Sequence, residues 1–172
     1  MTDPAPSKGE LLTALRASRD EVLSALRALA PERLEDGRYE NGWNGRQILA
    51  HIASIEWTYP RLIDIARDAR APGAAAAPPG DPPTRAMRGG NDSYNDRQVA
   101  KRAGVPVAEL IAEFERNRAA TIAAVEAADE TLFARPIRSA GGVTGPLAAV
   151  FLQVAVMHVL AHARDVAAPT PP

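Results

Sequence analysis

Three histidines are all this chain contains, at positions His51, His158 and His162. The last two are four residues apart, and on a helix that spacing puts both side chains on one face with Cβ atoms about 5–6 Å apart. Two imidazoles placed so can converge on a single ion, and His51 is then the one imidazole left to make a third ligand. Three neutral imidazoles leave a divalent ion with its charge uncompensated and a coordination position open, as in catalytic zinc sites. Such an ion lowers the pKa of bound water toward about 7 and deprotonates a bound thiol, so the centre could present either a hydroxide or a thiolate. Val159 follows His158, where the H-E-x-x-H motif of zinc proteases needs its glutamate, and peptide hydrolysis is disfavoured. Taken singly, each histidine is equally well explained as a core residue satisfied by a carbonyl or hydroxyl. The metal reading rests on the set: a pair on one helical face, a third with inward register on another helix, and none outside the group.

Other polar residues are candidates for the site's surroundings. Asp165 lies one turn beyond His162 and could accept from an imidazole N–H, or pair with a nearby arginine instead. Glu56 and Tyr59 follow His51 on the same stretch and could reach the mouth of the site. Asn91, Asp92, Tyr94, Asn95 and Asp96 form the most polar segment available to line it, or a merely solvated loop.

The elements that must position these residues are helical, with no sustained strand alternation anywhere, so the fold class is all-α. A capping box from Ser7 to Glu10 opens the first helix, which should end before Pro31; Leu11, Leu15, Val22, Leu26 and Leu29 form its apolar stripe. Asn44 and Gln47 make a second capping box, with Trp43 placed to staple onto Ile48. Ile48, Ile52, Ile55, Tyr59 and Leu62 then face inward with His51 beside them, until Pro60 kinks or ends the helix. Residues 71–90 have the proline and glycine density of an irregular connection. A segment of that length can run the length of a bundle, about 30 Å for a twenty-residue helix, so the second and third bundle helices can be parallel. Residues 91–98 open a short helix that Gly104 and Pro106 interrupt. Pro106 suits the start of the third bundle helix, with Leu110, Phe114, Thr121 and Val125 inward. Residues 135–146 read as a connection, and the last helix begins near Pro146. Its inward face is expected to carry Leu147, Phe151, Val154, His158, Ala161, His162 and Asp165. Residues 169–172 read as a tail.

Composition narrows the partners. The chain has 172 residues with 20 basic and 21 acidic side chains, a net charge of -1; that suits one domain spanning residues 1–172, structured from about 7 to 168, and provides no field that would draw it to nucleic acid. There is no cysteine, which removes disulfides, a thiol nucleophile and cysteine-containing metal sites. The start, MTDPAPSKGE, lacks the features of a signal peptide, giving a cytoplasmic expectation. No residue from Leu147 to Ala163 is charged, close to the shortest membrane span, but a buried bundle helix carrying two histidines accounts for it without a membrane.

The segments Gly42 to His51 (GWNGRQILAH) and His158 to Asp165 (HVLAHARD), with the polar stretch opening at Asn91, resemble the DinB/YfiT-like superfamily, which includes the N-terminal domain of mycothiol-dependent maleylpyruvate isomerase. The resemblance spans nearly the whole chain. It implies a four-helix bundle with a long crossover between helices 2 and 3. It also implies metal ligands at His51, His158 and His162, one divalent ion of the zinc or nickel kind, and reaction with a low-molecular-weight thiol such as mycothiol, bacillithiol or glutathione. The chain is expected to lack that isomerase's additional domain, which argues against isomerisation itself.

The leading expectation is therefore a metal-dependent thiol S-transferase or isomerase-type enzyme acting on an electrophilic small molecule in detoxification. A metal-dependent hydrolase uses the same ion on water, and a non-catalytic stress-related binding protein uses the same pocket without turnover. A homodimer is expected because the last helix is apolar on several sides.

Overall fold

The computed structural model describes residues 5–35, 42–68 and 90–168. The connection expected over 71–90 and the tail over 169–172 fall outside them, apart from Gly90. The first helix, α1 (Lys8–Arg27), starts on the expected box, with Ser7 Oγ accepting from the Glu10 N–H and Glu10 accepting from the Ser7 N–H. A 3₁₀ turn (Pro31–Leu34) leads toward α2 (Gly45–Glu56), which Asn44 and Gln47 cap in the same reciprocal way. Gly45 packs tightly there: a Cβ would lie 3.2 Å from the Leu34 Cα, so Leu34 would have to give by a few tenths of an ångström. Trp57 to Tyr59 form a turn, and Pro60 begins a new helix, α3 (Pro60–Asp68), where its missing N–H costs nothing. The short helix expected to open over residues 91–98 is present as α4 (Gly90–Lys101), so the polar segment from Asn91 to Asp96 is helical, not a solvated loop. Pro106 then caps α5 (Val107–Ala127).

Cross-helix contacts fix the directions. Lys8 donates to the Glu126 and Ala128 carbonyls and Arg27 pairs with Glu115, so α1 and α5 are antiparallel. Arg46 donates to the Val105 carbonyl, Asn117 to that of Ala53, and Arg118 to Glu56, so α2 and α5 run parallel, as a long crossover requires.

Residues 135–146, read from the sequence as a plain connection, carry a small hairpin within the otherwise helical fold. A short 3₁₀ turn (Glu130–Ala134) leads into β1 (Pro136–Arg138), which pairs antiparallel with β2 (Thr144–Pro146), Ile137 opposite Gly145. Strands this short, with proline at their ends, show no alternation for a sequence to display. Gly142, at φ 86°, closes the turn, where a Cβ would be strained. Ile137 is wholly buried, so the hairpin is pinned to the core.

The fourth bundle helix runs from α6 (Leu147–Phe151) through a π-helical segment (Leu152–Met157) into α7 (His158–Ala167). It is long and apolar enough to cross a membrane, but 44% of its most apolar stretch is packed inside the bundle as the fourth wall of the core. The π segment corrects the register expected for this helix. A π turn closes i→i+5 bonds and so takes in one more residue than an α turn. Beyond Phe151 the buried stripe is Ala155, Val156, Val159, Ala163 and Val166, while Val154, His158 and His162 are half-buried and Ala161 and Asp165 are exposed. The histidines thus flank the core instead of filling it.

Candidate metal centre and adjoining cavity

His51 sits on α2 among Ile48, Ile52 and Ile55, only 3% exposed, and faces the α7 pair. Its ring centroid lies 5.6 Å from that of His158 and 5.3 Å from that of His162, and those two are 4.5 Å apart. One ligating atom from each lies within 4.8 Å of the others, with the Nε2 atoms of His158 and His162 at 3.0 Å. Donors at 2.0–2.1 Å around a tetrahedral ion are separated by about 3.3 Å, so small ring rotations bring this trio to that spacing. Trp43 closes one side, its ring 5.3 Å from that of His51.

Electrostatics favour the ligating form of all three rings. Burial, with the neighbouring imidazoles adding to it, pushes His51 down to about 3, and burial then His158 push His162 down to about 4. His158 is also lowered by burial, against a hydrogen bond to the Val154 backbone. That bond leaves its Nε2 free to ligate, with the other nitrogen held by a carbonyl. Among the described residues, the Nδ1 atoms of His51 and His162 are buried with no hydrogen-bond partner. Buried polar atoms are rarely left so in a folded chain, and neutral imidazole is the form a metal takes. The donor set therefore fits a divalent ion.

A cavity of about 720 Å³ opens beside His158, bounded by α3, the hairpin turn and the π segment. Most of its wall is apolar, from residues such as Ile55, Leu62, Ile65 and Val143.

A family model of the DinB superfamily matches residues 14–166. The chain belongs to the DinB superfamily. Its fold is similar to the crystal structure of the mycothiol-dependent maleylpyruvate isomerase, with a TM-score of 0.71 at 18% identity, and to that of an alanine-for-histidine mutant of the isomerase, at 0.70 and 17%. The alignments take in 96% of this chain and 62% of each of those. No curated protein matches.

Within this DinB bundle the other sequence candidates separate. Glu56 is away from the mouth: it is fully buried and paired with Arg118, whose Nη2 donates to Oε2 at 2.9 Å while Nε lies 2.8 Å from Oε1. Burial pushes the Glu56 carboxyl up, and Arg118 pulls it back. Tyr59 does line the cavity, and its hydroxyl donates to the Val154 carbonyl at 2.5 Å. Burial, reinforced by Glu56, holds that phenol well above its usual range, so it remains a donor. Since the Val154 carbonyl also receives the bond from His158, Tyr59 braces the group that orients a metal-ligand candidate. Asp165 is exposed on the far side of the helix turn, and Arg164 pairs with Glu21 instead of with it. Of the described side chains in the segment from Asn91 to Asp96, Tyr94 is the one that lines the cavity.

Arg118 and Arg61 were not singled out from the sequence. Arg118 stands four residues after Phe114 and three before Thr121, so the inward stripe of α5 already contained it. Arg61 and Trp57 flank the Pro60 break, where helical periodicity carries no information.

Proposed function

We propose that the protein is a metal-dependent thiol S-transferase: His51, His158 and His162 hold one divalent ion, zinc or nickel as the family resemblance implies, beside a cavity that receives an electrophilic small molecule. The observation that carries this reading is the convergence of three neutral imidazoles, two with orphaned buried nitrogens, next to an apolar cavity. The ion would supply Lewis acidity, holding a mycothiol, bacillithiol or glutathione sulfur as thiolate at neutral pH. The chain's own residues do the rest. The Val154 carbonyl, braced by Tyr59, keeps His158 in the ligating tautomer, Trp43 covers His51, and the cavity walls exclude water from the electrophile. The likeness to a mycothiol-dependent isomerase supports a thiol as co-substrate. The same centre could instead act on water as a hydrolase, or hold a ligand without turnover. We place the protein in the cytoplasm as a homodimer, with no nucleic-acid or membrane partner.

Elemental analysis of tag-free protein, equilibrated with trace divalent metals beside a His158→Ala/His162→Ala double variant, tests the centre. Near-stoichiometric metal in the parent and its loss in the variant are expected. Metal-loaded parent should then consume thiol together with electrophile. Turnover without thiol would move the assignment to hydrolysis, and absence of metal from both proteins would leave the histidines as core residues.

A further inference from the structure

The cavity beside His158 carries a recognition feature that the metal centre does not explain. Its volume, about 720 Å³, lies within the range of roughly 300–1,000 Å³ common for small-molecule pockets. Among the described lining residues Arg61 is the one charge, and no carboxylate faces it. Arg16, Arg27, Arg102, Arg118 and Arg164 each pair with a glutamate. Arg61 is instead held by stacking, its guanidinium carbon 4.0 Å from the Trp57 ring centroid. Trp57 is in turn fixed by its indole N–H, which donates to the Tyr94 hydroxyl at 3.1 Å. Stacking pre-orients the planar guanidinium while leaving its N–H edge open to a bidentate acceptor.

We propose that the cavity binds a small carboxylate with an apolar body, the carboxylate on Arg61 and the body along Ile55, Leu62 and Ile65, with its far end reaching toward His158. On the reading of the protein as a thiol transferase, this is the class of its electrophile. The binding claim stands independently of the metal, because Arg61 is the one charged side chain among the described lining residues.

Calorimetric titration with cinnamate and with its uncharged analogue cinnamamide tests this, using the parent, Arg61→Gln, Arg61→Lys and the His158→Ala/His162→Ala variant. The parent is expected to prefer cinnamate. Arg61→Gln should weaken cinnamate at least about tenfold, the scale of a lost charged hydrogen bond, while leaving cinnamamide unchanged, and Arg61→Lys should restore part of the preference. The double histidine variant should keep it. Persistence of the preference in a parent that carries no metal would still support the cavity assignment while removing the transferase reading. The proposal is overturned if the parent does not distinguish the two probes, or if Arg61→Gln binds cinnamate like the parent. It is also overturned if the preference disappears in the histidine variant alone, which would assign the carboxylate to the imidazole centre.

Discussion

Neutrality is what makes an imidazole a ligand, and it also makes these histidines sensitive to acid. Free histidine titrates near 6.5, whereas folded His51 resists protonation to about 3 and His162 to about 4. Between those values the unfolded chain binds more protons than the folded one, so acid favours unfolding. In metal-free protein this stability should be complete above about pH 7 and decline as pH falls below about 6.5, His51 alone accounting for about 2 kcal/mol by pH 5. Urea unfolding of the parent and of His51→Gln, at pH about 7.5 and about 5, reads this directly; the parent should lose more stability on acidification than the variant, and equal losses would refute it. The trio was legible in the sequence because two members share a helical face and the third lies beside Ile48 and Ile55 on another. Arg61 was not, because its significance lies in a stacked indole and in the absence of a carboxylate among the described residues lining the cavity, both matters of tertiary packing.

The π segment from Leu152 to Met157 sets which side of the last helix faces the core. Its residues are ordinary helix formers, and nothing in LQVAVM distinguishes a π turn from an α turn. An unbroken α register predicts Val154, His158 and Ala161 beneath Phe151, whereas the structure buries Ala155, Val156 and Val159. Its stability comes from outside the helix. Tyr59 donates to the Val154 carbonyl and Arg118 Nη2 to that of Ala155 at 2.6 Å, occupying backbone acceptors where the α ladder is interrupted. Val159→Ala should therefore cost about 2 kcal/mol through lost burial and a small cavity, and Ala161→Glu should stay within about 0.5 kcal/mol as a surface change. Thermal unfolding of both variants checks the register, and the reverse ranking would restore the uninterrupted helix. The capping boxes at Ser7 and Asn44 were readable because they are local. The hairpin at 136–146 was not, since its strands are too short for a periodicity.

Arg118 joins the bundle into one unit. From α5 it reaches Glu56 at the end of α2, Ser18 Oγ on α1 at 2.8 Å and the Ala155 carbonyl of the π segment, all without solvent. These three elements are the ones that flank the histidines or carry them, so the network sets their relative placement as well as the core's. A buried pair of charges contributes little net stability against well-packed apolar residues, because desolvation offsets most of the attraction, but removing one partner strands the other. Arg118→Met should consequently cost about 3–5 kcal/mol, leaving the Glu56 carboxyl to be taken up by a proton or by water. Adding Glu56→Leu to it should recover much of that loss, since the second change removes the stranded acid. Metal content separates the two roles of the network. If Arg118 only fills the core, the double variant regains both stability and metal; if it also holds the π segment against α2, stability returns while metal affinity stays reduced, because the Ala155 carbonyl has lost its donor. Urea titration paired with elemental analysis of the same preparations distinguishes these, and the second outcome is expected from the 2.6 Å bond to Ala155.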